Sequence, residues 1–497
     1  MQLQFSKNMI RCLKTLCQEV KNAEVTQELR LPDSMPDIGR ILTTWGQVMI
    51  RSKEWQGSTL MVAGGVMIWV LYAPEDGTEP RSVECWIPYQ FKWDLDSADR
   101  EGPMRVLPLL RFSDARSISS RKIMLRAGVA AYMEAMCPTE AEIYSVGELP
   151  KDVQILKKTY PARIPVESGE RAFLIDEEIT QLPANAERLL CIMVIPEVTE
   201  KKVLSDKVIF KGMLNLHLAY RDGDGNVGSW KHGVAFSQLS ELDHSHSTDA
   251  QSDLIMAVTN MEADLFEPGK LRFKCGLVGQ YVVSDRHMLD LVEDVYSPQR
   301  QVVGTYATLE LPMILEERTE HATAEQTIPG QTGQCVEGVF LPDFPRCRIL
   351  ESNVEMELSG TFQTLFHDES DVLQGISSRW NGKMNIAADT DTQISALVGT
   401  NGEVQVSATG GGTNLSGGMS LKLRTDCTNG IRMVTGLELG EIRQQDPKRP
   451  SLIIRRCKGE SLWDIAKSMG STVSAIAEAN GLISEQVPDR MLLIPIL

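Results

Sequence analysis

Two short segments carry residue types that could bind a metal ion. His244 and His246 stand in one polar stretch with Asp243 and Asp249, and zinc accepts imidazole and carboxylate ligands. Residues 222–226 begin like a calcium loop, but valine stands where that loop needs glycine, and strand patterns flank the segment. A polar loop and a hairpin turn explain both segments. We therefore expect no metal site and no cofactor.

Residues that could catalyse a reaction are scattered without a recognisable motif. The ten cysteines form no Cys-x-x-Cys pair, and several lie inside apolar strand patterns, which favours buried thiols in a reducing compartment. Three glycines at 410–412 are not followed by Gly-Lys-Ser/Thr, so they do not form a phosphate loop. No Cys–His pair or carboxylate pair stands in a hydrolase motif. We predict no catalytic residues, hence no enzyme.

Charge and hydropathy narrow the classes of partner. The chain has 497 residues and a formal net charge of −17, which argues against nucleic acid and against an anionic membrane surface. The longest apolar run, residues 60–73, has 14 residues, and a membrane helix needs about 20. The amino-terminal residues do not resemble a signal peptide. We expect a cytoplasmic protein without a membrane span.

An internal repeat organises the first two-thirds of the chain. Residues 61–77 and 209–225 both alternate apolar and other side chains around a glycine, and both end in a tyrosine and an Asp-Gly turn. Gly64 and Gly212 lie 148 residues apart, as do Tyr72 and Tyr220. Period-two alternation closed by Asp-Gly is typical of a β-hairpin. These segments predict a duplicated β domain.

The same offset recurs further along each copy. Residues 123–129 align with 271–277, with Gly128 over Gly276. A more diverged third copy follows, in which Gly360 and Gly417 interrupt alternating apolar residues. Short alternating strands with turn signals indicate sandwich-like or partly open barrel domains.

This pattern predicts the following domain organisation. Residues 1–150 contain an amino-terminal helix, placed at residues 5–20 by its apolar spacing, and the first β domain. The second β domain spans 151–298, and the third, diverged one spans 299–443. The proline-bearing stretch 444–450 is a linker, and a small module occupies 451–497. The predicted fold class is mainly β, with tandem sandwich-like domains before a small α+β module.

The C-terminal module has a β-α-α-β pattern. Ser461 and Asp464 resemble a capping box at the start of one helix, and Gly470 ends that helix. A second helix ends at Gly481, and a short apolar strand flanks the helix pair on each side. The segments 459–463 (Gly-Glu-Ser-Leu-Trp) and 480–482 (Asn-Gly-Leu) resemble signature segments of the LysM family.

The LysM resemblance implies a binding groove without catalytic residues. Modules of this family bind N-acetylglucosamine polymers between the loop before the first helix and the loop after the second, largely through backbone groups. The positions that the resemblance assigns to this groove are Gly459, Glu460, Ser461, Leu462, Gly481, Leu482 and Ile483. A protein ligand in the same groove is equally compatible with the residues.

The β domains resemble the SPOCS domain family. Residues 28–42 contain Leu-Pro and Pro-Asp-Ile before the glycine-centred strand, as that family does. Tandem SPOCS-type domains followed by one LysM module resemble the SipL-like spore-coat assembly proteins. The resemblance implies a mother-cell cytoplasmic protein at the forespore surface, which binds a SpoIVA-like coat morphogenetic ATPase through LysM.

Two other functions stay open at this point. The first is a peptidoglycan-binding protein, since LysM modules bind N-acetylglucosamine polymers. The second is a cell-wall hydrolase, because LysM modules are often joined to such enzymes. Release of labelled muropeptide fragments by the protein would identify a hydrolase.

Overall fold

The computed structural model describes residues 2–95, 102–329, 333–350, 353–368, 370–387, 392–409, 412–427, 429–444, 449–457, 459–482 and 490–497. Nearly all of this is antiparallel β-sheet, and the helices that it contains lie near the C-terminus. The predicted fold class, tandem β domains before a small βααβ module, is confirmed.

The first unit is a sandwich of two three-stranded sheets. A short strand, β1 (Gln2–Gln4), precedes it. Its strands are β2 (Ser6–Arg30), β3 (Ile38–Gln56), β4 (Thr59–Pro74), β5 (Arg81–Asp94), β6 (Met104–Ser119) and β7 (Lys122–Ser145). The sheet orders are β2-β7-β6 and β3-β4-β5. Apolar residues from both sheets share one core.

The second unit repeats this arrangement. Its strands are β8 (Gln154–Ile179), β9 (Ala186–Leu204), β10 (Lys207–Asp222), β11 (Val227–Glu241), β12 (Gln251–Glu267) and β13 (Lys270–Tyr296). The neighbours are again β8-β13-β12 and β9-β10-β11. Strands β9 and β10 begin 148 residues after β3 and β4 and have the same lengths. Both units contribute to one continuous core.

The third unit is shorter and more interrupted. After β14 (Arg300–Leu309), its strands are β15 (Ile314–Pro329), β16 (Gly333–Pro342), β17 (Arg346–Ile349), β18 (Asn353–Asp368), β19 (Leu373–Ala387), β20 (Thr392–Gly399), β21 (Val404–Thr409) and β22 (Gly412–Cys427). β16 and β17 both pair with β18, and β20 and β21 both pair with β22. Most of its apolar residues form a separate core cluster.

The chain then closes the β body and enters the C-terminal module. Strand β23 (Ile431–Ile442) lies between β1 and β14. The module contains β24 (Leu452–Cys457), α1 (Leu462–Met469), α2 (Val473–Asn480) and β25 (Arg490–Pro495), and β24 pairs with β25. Residues 445–448 of the predicted linker lie outside the described residues.

The glycine that marks each repeat has the same structural role in all three units. It lies in the central strand of a sheet, where an aromatic ring from the neighbouring strand covers it, so an added Cβ would clash with that ring. The absence of a side chain is therefore required for this close packing. The glycine–ring pairs are Gly64–Tyr89, Gly212–Phe236 and Gly360–Phe340.

The predicted amino-terminal helix is wrong. Residues 6–30 form β2, which pairs with β7 along its whole length, from Ser6 opposite Ser145 to Arg30 opposite Lys122. Cys12 and Leu13 are adjacent in the sequence and both are buried. Two adjacent apolar residues are also common on the buried face of a helix, which explains the wrong prediction. A long ladder of strand hydrogen bonds outweighs the weak helical preference of the segment.

A buried ionic cluster joins the three units. Arg105 of the first unit donates to Glu134 at 2.9 Å and to Asp253 of the second unit at 2.8 Å. Arg424 of the third unit donates to the other oxygen of Glu134 at 3.1 Å. Burial alone would raise the pKa of Glu134, but the two guanidinium groups hold it below its ordinary value. The carboxylate is therefore ionised inside the protein.

Candidate functional site

The C-terminal module is built as its sequence predicts at both helix starts and ends. The hydroxyl of Ser461 accepts the Asp464 backbone N–H at 3.1 Å and donates to the Asp464 carboxylate at 2.6 Å. Gly470 ends α1 with φ of 70°, and Gly481 ends α2 with φ of 59°. These caps satisfy backbone groups that short helices leave unpaired. They also fix the loops beside each helix.

The predicted groove residues are placed on two loops. Gly459 and Ser461 are exposed before α1, whereas the Leu462 side chain is buried in the core of the module. Arg455 pairs with Glu460 at 2.6 Å. In the described part of both loops no hydrogen bond joins one loop to the other. Ile483 lies outside the described residues.

The second loop is tied to the sheet of the module. The Asn480 side chain donates to the Leu493 carbonyl at 2.6 Å and accepts the Leu493 N–H at 2.8 Å. Asn480 stands in the segment 480–482 that resembles a LysM signature, and its bonds to the sheet are not evident from the sequence. In the described part of the chain, a Cβ added at Gly459 or Gly481 would meet no atom within 4 Å, so there is space beside both glycines.

The outer face of the β24–β25 hairpin exposes several apolar side chains, with the exposed Arg456 opposite Met491 at its end. Leu452 and Ile454 alternate out of β24 with exposed fractions of 48% and 62%. Met491 and Leu493 alternate out of β25 with exposed fractions of 56% and 36%, and Ile454 is opposite Leu493. Single exposed apolar side chains are ordinary on soluble proteins, whereas a contiguous exposed group of them is typical of an interaction site. The hairpin therefore presents a contact surface, here called the outer face (Leu452, Ile454, Met491 and Leu493).

The opposite side of the module is docked on the second unit. Trp463 donates its indole N–H to Asp294 at 2.8 Å, and its ring packs edge-on against Tyr296 with centroids 4.7 Å apart. Lys467 donates to both Asp294 oxygens, at 2.8 and 2.7 Å. The Tyr296 hydroxyl donates to the Ser471 carbonyl at 3.0 Å. Trp463 therefore holds the module on the β body.

Asp294 is the polar centre of this docking contact. Burial would raise the pKa of Asp294, but hydrogen bonds from Lys467, Trp463 and Tyr306 lower it overall. The carboxylate is thus charged at neutral pH and accepts from three side chains at once. Charge-assisted bonds of this kind are stronger than neutral ones.

The other residues singled out in the sequence make ordinary structural contacts. His246 contacts Glu167 at 3.1 Å and Asp285 at 3.0 Å, and His244 contacts Arg11 at 2.7 Å. Residues 222–226 form a hairpin turn, closed by the Asp222 N–H to the Asn226 carbonyl. Among the described residues no group of three or more His, Cys, Asp or Glu side chains is placed to hold a metal ion.

Two cysteines that are buried among apolar side chains, Cys12 and Cys275, are poor nucleophiles. Burial raises the pKa of Cys12 to about 11 and that of Cys275 to about 12. Thiols with such values are protonated at neutral pH, whereas a nucleophile needs a thiolate. These two thiols are therefore packing residues.

Comparison with protein families assigns two parts of this structure. The family described as "SipL, SPOCS domain" matches residues 185–265, from the start of β9 to the end region of β12. The family described as "LysM domain" matches residues 458–495, the C-terminal module. The chain carries a SPOCS domain and a LysM domain. Together they match the domain content of a SipL-like protein.

The two family matches indicate the general function of the protein. SPOCS and LysM are non-catalytic binding domains, and their combination fits a sporulation-related protein. No curated protein and no solved structure matches the chain. In the described part of the chain, no helix has both the length and the hydropathy needed to cross a membrane.

Proposed function

We propose that this protein is a non-enzymatic assembly scaffold of the spore envelope. In this role it works in the mother-cell cytoplasm, at the forespore surface, and binds a SpoIVA-like coat morphogenetic ATPase through its LysM domain. The SPOCS and LysM matches support the setting. We also propose that the first unit is a SPOCS-type domain and that the third unit is a diverged one, because both repeat the two-sheet arrangement of the second unit.

The exposed outer face of the LysM domain is the main structural support for a protein partner. Sugar recognition in this family relies on backbone groups in the groove, which does not require an apolar sheet face. An apolar sheet face with side chains exposed by up to 62% is instead the surface that a protein partner desolvates. Trp463 is covered by Asp294 and Tyr296, whereas the outer face is exposed among the described residues of the module.

Capture of the purified SpoIVA-like ATPase by the immobilised protein tests this proposal. The full chain should retain the ATPase, and a chain that ends at residue 450 should not. A shortened chain that still unfolds like the full chain and still retains the ATPase would contradict the role of LysM. Retention by neither chain would contradict the choice of partner.

The accessible groove supports a second candidate function, binding of peptidoglycan. Its proposed contacts are the backbone groups of Gly459, Glu460, Ser461, Leu462, Gly481, Leu482 and Ile483. Gly459 and Gly481 border open space, as a polysaccharide chain would require. The full chain should then sediment with purified peptidoglycan, and Gly481→Trp should reduce sedimentation. Equal sedimentation of both proteins would contradict this function.

A further inference from the structure

A polar cavity of about 590 Å³ lies between the first and third units. Its walls come from β2 and β6 of the first unit and from β17, β18 and β19 of the third. No residue of the LysM domain lines it. Cavities of this size at domain junctions are common ligand sites.

Two guanidinium groups in this cavity share one carboxylate. Arg111 donates to both oxygens of Asp343, at 2.9 and 3.2 Å. Arg379 also donates to Asp343, and it donates to Ser359 at 2.9 Å and to Thr361 at 3.2 Å. Asp343 is 6% exposed, so the group is built into the junction. Two positive charges facing one negative charge leave a positive excess.

A third arginine adds to this excess. Arg346 on β17 lines the same cavity and is exposed. Glu357 is its cross-strand neighbour on β18, and Lys383 is already paired with Glu355 at 3.0 Å. Three arginines therefore face Asp343 and Glu357. A local positive excess stands out in a chain whose net charge is −17.

The rest of the wall is partly apolar. Phe344 and Leu358 are buried beside the arginines, and Val20 and Pro345 also line the cavity, together with the polar residues Asn22, Ser359, Asn381 and Lys383. Guanidinium groups bind carboxylates in a planar, two-point geometry. The apolar residues next to them favour a ligand with a short hydrocarbon chain. The combination selects an aliphatic carboxylate over a bare inorganic anion.

We propose that this cavity binds a carboxylate carried on a short aliphatic chain, with Arg346 and Arg379 as the groups that hold it. Such a carboxylate could belong to an acidic side chain of a peptide or to a free dicarboxylic acid. Both sources share the same recognition chemistry. The site is separate from the LysM domain and independent of its partner.

Calorimetric titration of the full chain tests the site with three probes: N-acetylglutamate N-methylamide, glutarate and inorganic phosphate. We expect the carboxylates to bind and phosphate to bind more weakly. The tighter of the two carboxylates identifies the source of the ligand. Affinity should fall as salt concentration rises, because an ion pair is screened.

Arg346→Gln should weaken carboxylate binding about tenfold, the loss expected for one charge-assisted contact. The control is Arg348→Gln, which removes an exposed arginine from the same strand but outside the cavity wall and should leave the affinity unchanged. No binding of either carboxylate at millimolar concentration, equal effects of both variants, or tighter binding of phosphate would each overturn the proposal.

Discussion

In the β units, the large side chains of the central strands, such as Phe210 and Leu214, lie inside a sandwich, whereas the LysM hairpin turns Ile454 and Leu493 towards solvent. The units are also joined by buried charges around Glu134, while LysM is attached to β13 through a small group of contacts at Asp294 and Tyr296. A body whose units are joined by buried ion pairs and a small module with several exposed apolar side chains on one hairpin face indicate different tasks. The body holds the module, and the module makes the contact.

The largest expected effect on stability comes from disrupting the buried ionic cluster that joins the β units. Glu134→Ala removes the carboxylate that Arg105 and Arg424 share and leaves each of them one other acidic partner, Asp253 and Asp426, so it should cost about 3 kcal/mol of unfolding free energy, the lower end for a broken buried ion pair. Chemical denaturation followed by circular dichroism measures this loss. Glu142→Ala, which removes a solvent-screened pair with Lys7, should lower the unfolding free energy far less. Equal effects would show that the ionic cluster does not join the units.

The attachment of LysM should be weaker than the body itself. Asp294→Ala removes the acceptor of Lys467, Trp463 and Tyr306, and should weaken docking by about 1.5–3 kcal/mol. In this variant, hydrogen exchange should become faster in α1 and stay unchanged in β4, and this difference measures the weaker docking. Asp290→Ala on the same strand is the control, and similar exchange in both variants would contradict the docking contact.

The docking contact should also depend on pH. Because the folded pKa of Asp294 is lowered, its contribution is complete above the ordinary aspartate value of 3.8 and is lost as pH falls through the folded pKa. Hydrogen exchange in α1, corrected for intrinsic rates, should therefore rise relative to β4 as the pH falls below that value. Asp294→Asn should abolish this dependence. An unchanged dependence in that variant would assign it to another group.

The smallest effect on stability should come from the outer face. Ile454→Asp changes a side chain that is 62% exposed, so the unfolding free energy should shift by no more than about 0.5 kcal/mol. Thermal unfolding of the full chain checks this expectation. A large loss would mean that the outer face is covered within the folded chain.

The repeat and the LysM pattern were readable because each rests on local signals. The glycines at 64 and 212 sit beneath rings, and the Ser461 cap and Gly481 turn depend on near neighbours. Strand β2 was missed because its partner β7 is over ninety residues away, although the 148-residue offset relates it to β8.

The sequence analysis did not predict the docking contact or the outer face, for two different reasons. Asp294 and Trp463 are separated by 169 residues, and no local pattern links them. The outer face could have been read from the sequence, because Leu452 and Ile454 alternate, as do Met491 and Leu493. The arginine cavity joins two units and has no local signature.

The affinity of three matched variants for the purified SpoIVA-like ATPase tests the central claim most directly. Ile454→Asp should weaken binding at least tenfold, whereas Ile442→Asp, an equally exposed isoleucine on β23, and the groove variant Gly481→Trp should bind like the unchanged chain. Biolayer interferometry gives the three constants side by side. Unchanged binding by Ile454→Asp, or loss only in Gly481→Trp, would contradict the account.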